Sequence, residues 1–475
     1  MINTYLFISF IAGIFIGWHR IITLTALIIL SGVLFLGLVL SSRYYKVKIF
    51  SVVLIIFFIS LGALWVMPYS LHKPSLFLSK ENRFLIKVTS LPEDKYLKHT
   101  FYAHITSIND CPASINTKVN YFCTREVKYR DSYLLEGKLT RHKLRNSYFY
   151  TLWVDKNSPI RHIPANYIDS FIKYFTYKTV SYFKNNLSYE AYQFLSSVFI
   201  GRRELLDKRI KSIFRNAGAA HLIAISGLHV GLISAVFFFV LKILRIKFRM
   251  RIVISIVVMI LYALCVGARP SIVRSSLMFS FIGFGFLLKR KVSIFDTLSI
   301  SGIICLLWNP LWAFDVGFQL SFAAVFAIAA GAIVFPYAFT HKHKTVAYIK
   351  GIFFSTLFVT IAITPLISFY FGKLYLIGIV SNLILIPVFT FIMTTTFTFM
   401  CFYYFHFLAS ILAQVLSFSV FVFIKTASIL GAVKFLSFNI GMNLLGVSIY
   451  YTILGVVITL IYYRKNRKLQ APAAH

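Results

Sequence analysis

Long apolar stretches constrain this chain more than any other feature of its sequence. A helix needs roughly 20 consecutive apolar residues to cross the hydrocarbon core of a bilayer. Three such stretches lie at 3–19, 21–40 and 49–68, and more follow between residues 221 and 463. The first stretch has no basic segment before it and no small-residue cleavage site, so it is typical of a membrane span rather than a signal peptide. The sequence predicts a polytopic α-helical membrane protein with about 12 spans.

Composition and charge further restrict the class of protein. Hydrophobic residues make up 59% of the chain and charged residues only 13%, whereas a soluble domain contains about 25% charged residues. This excludes a disordered protein, a coiled coil and an ordinary soluble enzyme. The 49 Lys and Arg against 14 Asp and Glu give a formal net charge of +35. Such an excess indicates anionic partners, or cytoplasmic loops that follow the positive-inside rule.

The basic loops predict the orientation. With twelve spans, every basic cluster falls on one side of the membrane, and that side should be the cytoplasm. We therefore expect a multi-pass protein of the cytoplasmic (inner) membrane with both termini in the cytoplasm. The basic clusters lie at 43–48, 242–251, 289–291, 342–350 and 464–468.

Between residues 70 and 190 the hydrophobicity falls, on the side opposite to the basic loops. Five strand-length segments there are rich in β-branched and aromatic residues, which predicts an extracytoplasmic small β-barrel (OB-like) domain inserted after the third span. The strands are expected at 83–90, 100–108, 118–127, 132–140 and 147–155. The expected domains are membrane spans at 1–69, the β domain at 70–165, amphipathic interfacial helices at 166–217, a membrane domain at 218–463 and a basic cytoplasmic tail at 464–475.

The five cysteines form no metal-binding pattern, so no metal site is expected. Cys111 and Cys123 both fall in the β domain, which lies in an oxidising compartment under the predicted topology. A disulfide between them is therefore a candidate, and two unpaired thiols are the alternative.

The first polar motif within the apolar region is GAAHLIAISGLHVGL, residues 218–232. On one helix, His221 and His229 would share a face but lie about 12 Å apart along the axis, too far apart to hold one metal ion. Ser226 and Gly227 offer a place for the helix to break. The alternatives are a packing helix with hydrogen-bonded histidines, or a serine hydrolase in which His229 activates Ser226.

The second motif is CVGARPSIVRSSLM, residues 265–278. Pro270 predicts that a helix restarts here, because proline is tolerated only in the first turn of a helix. Arg269 and Arg274 would lie at or near membrane depth beside that N-terminus, where cations oppose the helix dipole and need an anion. The anion is either Asp315 or a phosphate backbone.

Two further motifs follow. In WNPLWAFDVGFQLSF (308–322), Asp315 and Gln319 are spaced i, i+4 on one helix, and a glutamine in a span suggests an interhelical hydrogen bond or a polar lumen. Between Pro365 and Pro387, Asn382 lies in a span that the sequence predicts to be interrupted. Interrupted spans that line a cavity are typical of translocation paths.

These motifs, in this order, resemble the competence domain of ComEC-type DNA-internalisation proteins over roughly residues 190–400. The resemblance implies a channel that moves single-stranded DNA across the cytoplasmic membrane during natural transformation. Our hypothesis is that Arg269 and Arg274 meet the DNA backbone at the entrance, so Arg274→Glu should abolish transformation at an unchanged protein level. Candidates for the DNA path are His221, Ser226, Gly227, His229, Arg269, Pro270, Arg274, Asp315, Gln319 and Asn382.

Many members of that family carry a metallo-β-lactamase-like nuclease domain, but this sequence has no HxHxDH motif and no P-loop. We therefore expect no enzymatic activity and no cofactor. The expected partners are single-stranded DNA, membrane lipids, an extracytoplasmic DNA receptor, a cytoplasmic DNA-translocating ATPase and a separate nuclease; a homo-oligomer is left open. The alternative function is a secondary transporter or channel for a smaller anionic solute or lipid.

Aromatic residues of the β domain, interleaved with Lys and Arg, could stack on DNA bases. The alternative is that they fill the barrel core and a membrane-facing rim. These residues are Tyr121, Phe122, Tyr129, Tyr148, Phe149 and Tyr150.

Overall fold

The computed structural model describes residues 2–18, 47–71, 77–78, 81–95, 98–121, 127–144, 147–155, 158–433 and 436–470. The chain divides into two compact units. Unit 1 comprises Met1–Leu205 and Ile225–Phe318, and unit 2 comprises Leu206–Ala224 and Gln319–His475.

The described α-helices are α1 (Ile2–Trp18), α2 (Val47–Leu71), α3 (Tyr167–Asn186), α4 (Tyr189–Phe199), α5 (Lys208–Asn216), α6 (Ala220–Ile223), α7 (Gly227–Ile243), α8 (Phe248–Cys265), α9 (Pro270–Leu287), α10 (Ile294–Trp308), α11 (Val316–Val334), α12 (Lys344–Tyr370), α13 (Gly378–Cys401), α14 (His406–Gly431) and α15 (Leu444–Gln470). Short 3-10 helices lie at Arg203–Leu205, Pro310–Phe314 and Pro336–Ala338.

The described strands are β1 (Glu81–Val88), β2 (Glu93–Lys95), β3 (Lys98–Ile108), β4 (Cys111–Tyr121), β5 (Ser132–Leu144), β6 (Ser147–Val154), β7 (Ile160–Ile163), β8 (Leu374–Tyr375) and β9 (Ser437–Phe438). The last two pair with each other in unit 2.

Five strands of unit 1 close into a small barrel. They pair in the order β1-β3-β4-β6-β5, and β5 pairs back with β1. The β4–β6 pair is parallel and the other pairs in the barrel are antiparallel. Buried residues alternate with exposed ones along β1, because successive side chains point to opposite faces of a strand. The predicted five-stranded barrel is confirmed, although β4 begins seven residues before its predicted start.

The predicted disulfide is not confirmed, because Cys111 is a free thiol. Cys111 begins β4, and Cys123 lies outside the described residues.

The helix that follows the barrel has one buried face. In α3, Ile172, Thr176, Val180 and Phe183 recur at helical spacing and are buried. Several large aromatic residues on the other side of the helix are exposed. Asn166 caps the helix, since its side chain accepts a hydrogen bond from the Asp169 N–H at 2.8 Å. This arrangement agrees with the amphipathic helix that the sequence predicts.

Six helices in the described part of the chain, namely α8, α9, α11, α12, α13 and α14, are long and apolar enough to cross a membrane. Their apolar windows are only 11% to 39% buried, and such exposed apolar surface is stable in contact with lipid. Five shorter apolar helices lie within α1, α2, α7, α10 and α15. The predicted span at 21–40 lies outside the described residues, so the count of twelve stays a prediction.

Candidate functional site

The motif at 218–232 is a broken helix. Helix α6 ends at Ile223, and α7 begins at Gly227 with Ser226 as its extended N-cap residue. The break predicted at Ser226 and Gly227 is confirmed. His221 and His229 therefore lie on different helices, and on different units of the chain, rather than on one helix face.

His229 is a buried residue that caps α7. Its Nδ1 lies 3.1 Å from the Ser226 backbone nitrogen and 3.1 Å from Ser226 Oγ. The backbone N–H donates to Nδ1 and occupies the single lone pair that a general base would use. This geometry favours a structural role for the pair over the serine hydrolase alternative.

Gly227 allows α9 to approach the start of α7 closely. A Cβ at this position would lie 2.6 Å from Ser275 Oγ and 3.1 Å from Arg274 Nη2. Arg274 is only 4% exposed and donates from Nη2 to Ser275 Oγ at 3.0 Å. Its Nη1 lies 3.1 Å from Met278 Sδ, one turn further along α9. The Arg274 side chain is therefore buried among the helices, a position that the sequence did not predict.

The N-terminal ends of α9 and α11 are joined directly. Pro270 occupies the first turn of α9 after the extended residue Arg269, as predicted. Asp315 precedes α11 and accepts a hydrogen bond from the Phe318 N–H at 2.8 Å. Ser271 Oγ donates to the Gly317 carbonyl at 3.3 Å. Two helix N-termini, each with partial positive charge, thus meet beside Arg269.

A second arginine pair reaches the same region from the end of α4. Gly201 turns the chain with a positive φ of 86°, and Arg202 and Arg203 follow. Arg202 is 2% exposed, donates to the Tyr129 hydroxyl, and lies with its guanidinium carbon 4.1 Å from the centre of the Tyr129 ring. Its Nη1 also donates to the Thr89 carbonyl at 3.2 Å. This contact ties the barrel to the chain that follows α4.

The barrel loop around Tyr129 has its own ion pairs. Asp169 lies 2.6 Å from Lys87 Nζ and 3.2 Å from Arg130 Nη1. Asp131 lies 3.1 Å from Lys173 Nζ and 2.7 Å from His162 Nε2. The other Arg130 nitrogen, Nη2, donates to the Leu264 carbonyl at the end of α8 at 2.8 Å. These bonds fix the barrel to α3 and α8.

The remaining predicted residues lie in unit 2. His221 is exposed on the four-residue helix α6. Gln319 Oε1 accepts a hydrogen bond from the Tyr370 hydroxyl at 3.0 Å, which confirms the predicted interhelical bond. Asn382 is buried, and its Oδ1 has no hydrogen-bond partner among the residues that the structure describes. Helix α13 continues through Asn382 and Pro387, so the span is not interrupted there.

Sequence reasoning missed Arg130, Arg202, Arg203 and Asp169 as parts of this site. The segment 201–215 has the composition of a basic interfacial helix, which concealed the role of its first arginines. The glycine that precedes them was the available signal, because a glycine after an apolar helix indicates a turn with positive φ.

The fold and the site define a polytopic helical membrane protein with a small barrel and a cluster of arginines where the barrel meets its helices in unit 1. Residues 198–465 match the family model described as Competence protein. The match covers more than half of the chain, and the chain belongs to this family.

Two curated relatives share the matched region. The chain is 27% identical over 224 residues to ComE operon protein 3 of Bacillus subtilis, which covers 46% of this chain and 28% of the relative. It is 27% identical over 220 residues to Recombination protein 2 of Haemophilus influenzae, which covers 44% of this chain and 28% of the relative. The match thus spans less than a third of each relative. No solved structure matches the chain.

Proposed function

We propose that this protein is a channel that moves single-stranded DNA across the cytoplasmic membrane during natural transformation. Membership of the Competence protein family supports a role in DNA uptake. We further propose that the barrel is an OB-like domain on the extracytoplasmic side and that both termini lie in the cytoplasm. A five-stranded Greek-key barrel is typical of the OB-fold, whose members bind single strands.

The outer face of the barrel is the observation that carries this proposal. Strands β3, β4 and β6 contain no Asp or Glu. Tyr102 is paired with Lys118, and Trp153 with Lys138, so that an aromatic ring lies beside a cation in each row. Tyr102 is 53% exposed and Trp153 38% exposed.

A third row continues this face towards one end of the barrel. Phe149 is 48% exposed and stacks on His142, with ring centroids 4.7 Å apart and planes 15° apart. Exposed rings supply sequence-independent stacking on bases, and lysines neutralise phosphates. Tyr121 and Tyr129 are buried instead, which agrees with the alternative that many barrel aromatics fill the core.

Membrane lipids, an extracytoplasmic receptor, a cytoplasmic ATPase and a separate nuclease complete the proposed system. The receptor would deliver DNA to the barrel, and the ATPase would pull the strand from the other side. We propose that the chain itself acts as a conduit and catalyses no reaction.

The experiment is to delete the gene in a transformable host and follow labelled duplex DNA. DNase-protected label should accumulate outside the cytoplasmic membrane and be lost from the cytosol. A strain that carries Tyr102→Ala with Trp153→Ala should show the same defect at normal protein level. Unchanged cytosolic label after deletion would contradict the proposal and favour a transporter of a smaller anionic solute.

A further inference from the structure

We propose that Arg203 and Arg269 together bind a phosphodiester group of the DNA strand where it passes from the barrel into the membrane helices. The inference rests on the proposed function and assigns residues to one step of it. All residues involved belong to unit 1.

Two carboxylates, those of Glu204 and Asp315, lie near these two arginines. Arg202 lies 3.7 Å from Glu204, and the Glu204 carboxylate also accepts a hydrogen bond from the Leu91 N–H at 3.0 Å. Asp315 accepts a hydrogen bond from the Phe318 N–H. Both carboxylates therefore have other direct partners, although their charges still act on Arg203 and Arg269 from a distance. Within the described part of the chain, neither Arg203 nor Arg269 has a carboxylate within 4.0 Å.

Both arginine side chains are partly buried. The Nε atom of Arg203 is buried and has no hydrogen-bond partner among the described residues. Burial, and next the charge of Arg269, lower the pKa of Arg203. Burial also lowers the pKa of Arg269; the charge of Glu204 opposes this shift, and the charge of Arg202 adds to it. Glu204 and Asp315 favour the charged forms of both arginines. These two carboxylates face three arginines, Arg202, Arg203 and Arg269, so one positive charge remains for a ligand anion to balance.

The position of the two arginines also suits a phosphate site. Arg269 immediately precedes α9, whose N-terminal end adds partial positive charge to the two guanidinium groups. Neighbouring Arg202 contacts Thr89 and Tyr129 of the barrel. The pair therefore lies where barrel and helices meet. Guanidinium groups bind phosphate oxygens with two parallel hydrogen bonds, which suits a phosphodiester better than a chloride ion.

The test uses the purified full-length protein in nanodiscs of zwitterionic lipid with a fluorescent oligo-dT probe. Affinity is measured as a function of salt for the wild type, Arg203→Gln, Arg269→Gln and the double variant. Each phosphate contact with a single strand contributes about 0.7 to the slope of log affinity against log salt. We expect the double variant to lose about 0.7 of this slope, and to import less labelled DNA in cells.

Two controls separate charge from folding. The variants Arg203→Lys and Arg269→Lys should retain the slope, because they keep the positive charge. Arg249→Gln, which removes an exposed arginine from α8, should leave both slope and affinity unchanged. A double variant with the wild-type slope would overturn the phosphate site and leave the proposed function standing. A wild-type protein that binds no oligonucleotide would overturn both.

Anionic lipid is the other source of a phosphodiester. Native mass spectrometry of the same proteins in nanodiscs with anionic lipid distinguishes a bound lipid from bound DNA. Loss of a bound lipid in the double variant, together with an unchanged slope for the oligonucleotide, would assign the pair to a lipid headgroup and overturn the inference.

Discussion

The barrel loop around Asp131 and the N-terminal end of α9 each bring several cations close together, and they differ in the contacts of those cations. At the loop, Asp131 and Asp169 each contact two positive or protonatable groups. At α9, Arg203 and Arg269 have no such carboxylate in the described residues. Cations in direct ion pairs hold two parts of a structure together, whereas cations without a direct carboxylate partner remain available to a ligand.

Asp169→Asn should show the largest effect of this difference. Removing the carboxylate leaves Lys87 and Arg130 without their shared partner, and breaking a buried ion pair costs about 3–5 kcal/mol. We expect a lower midpoint of thermal unfolding and less protein in the membrane. Glu136→Gln is the matched control, because its pair with Arg83 is half exposed and is worth about 0–1 kcal/mol. An equal fall of the unfolding midpoint in both variants would contradict the view that the Asp169 ion pairs hold the barrel to its helices.

Gly227→Ala tests the packing beside the arginines. The new Cβ would lie 2.6 Å from Ser275 Oγ, so the start of α7 and α9 must separate, at a cost of about 1–3 kcal/mol. Gly231→Ala on the same helix meets no atom within 4 Å and should be neutral or stabilising. The measurement is thermal unfolding of both purified variants. A neutral Gly227→Ala would show that this approach is less close than the structure indicates.

Trp153→Ala tests the exposed barrel face, where cations lie beside rings rather than carboxylates. Loss of one stacked base costs about 1–3 kcal/mol, so affinity for oligo-dT should fall by roughly tenfold. The slope with salt should stay unchanged, because no phosphate contact is removed. Phe389→Leu, in the core of unit 2, is the control for a general effect on folding. An unchanged affinity would remove Trp153 from the DNA-binding face.

Arg269→Gln should have the smallest effect on stability. Its charge has no direct carboxylate partner in the described residues, so neutralising it should change the free energy of unfolding by less than about 1 kcal/mol. The comparison is Arg274→Gln, which removes a buried group that bonds Ser275 and Met278. We expect only the second variant to unfold at a clearly lower temperature. The opposite ranking would mean that Arg269 stabilises the fold and is not reserved for a ligand.

The same contrast changes what is expected of Arg274→Glu. The sequence predicts lost transformation at an unchanged protein level. In the structure Arg274 is buried, so a glutamate there would be a buried negative charge in place of a hydrogen-bonded cation. We expect the protein level to fall as well, which would make that variant a poor test of DNA contact.

The sequence alone determined the class of membrane protein, the five-stranded barrel, the helix break at Ser226 and the restart at Pro270. These features depend on local rules: the length of apolar runs, the alternation of strands, and the backbone limits of glycine and proline. For Gln319 the sequence left an interhelical hydrogen bond or a polar lumen open, and the structure shows the hydrogen bond from Tyr370.

Only the tertiary structure decided which cations have a direct carboxylate partner. Arg269 and Arg274 are five residues apart in one motif. Arg274 is buried among the helices, whereas the charge of Arg269 acts on Arg203, which precedes it by 66 residues. Local sequence fixes the chemistry of each side chain, but the free energy of a charge depends on neighbours that the fold brings from elsewhere.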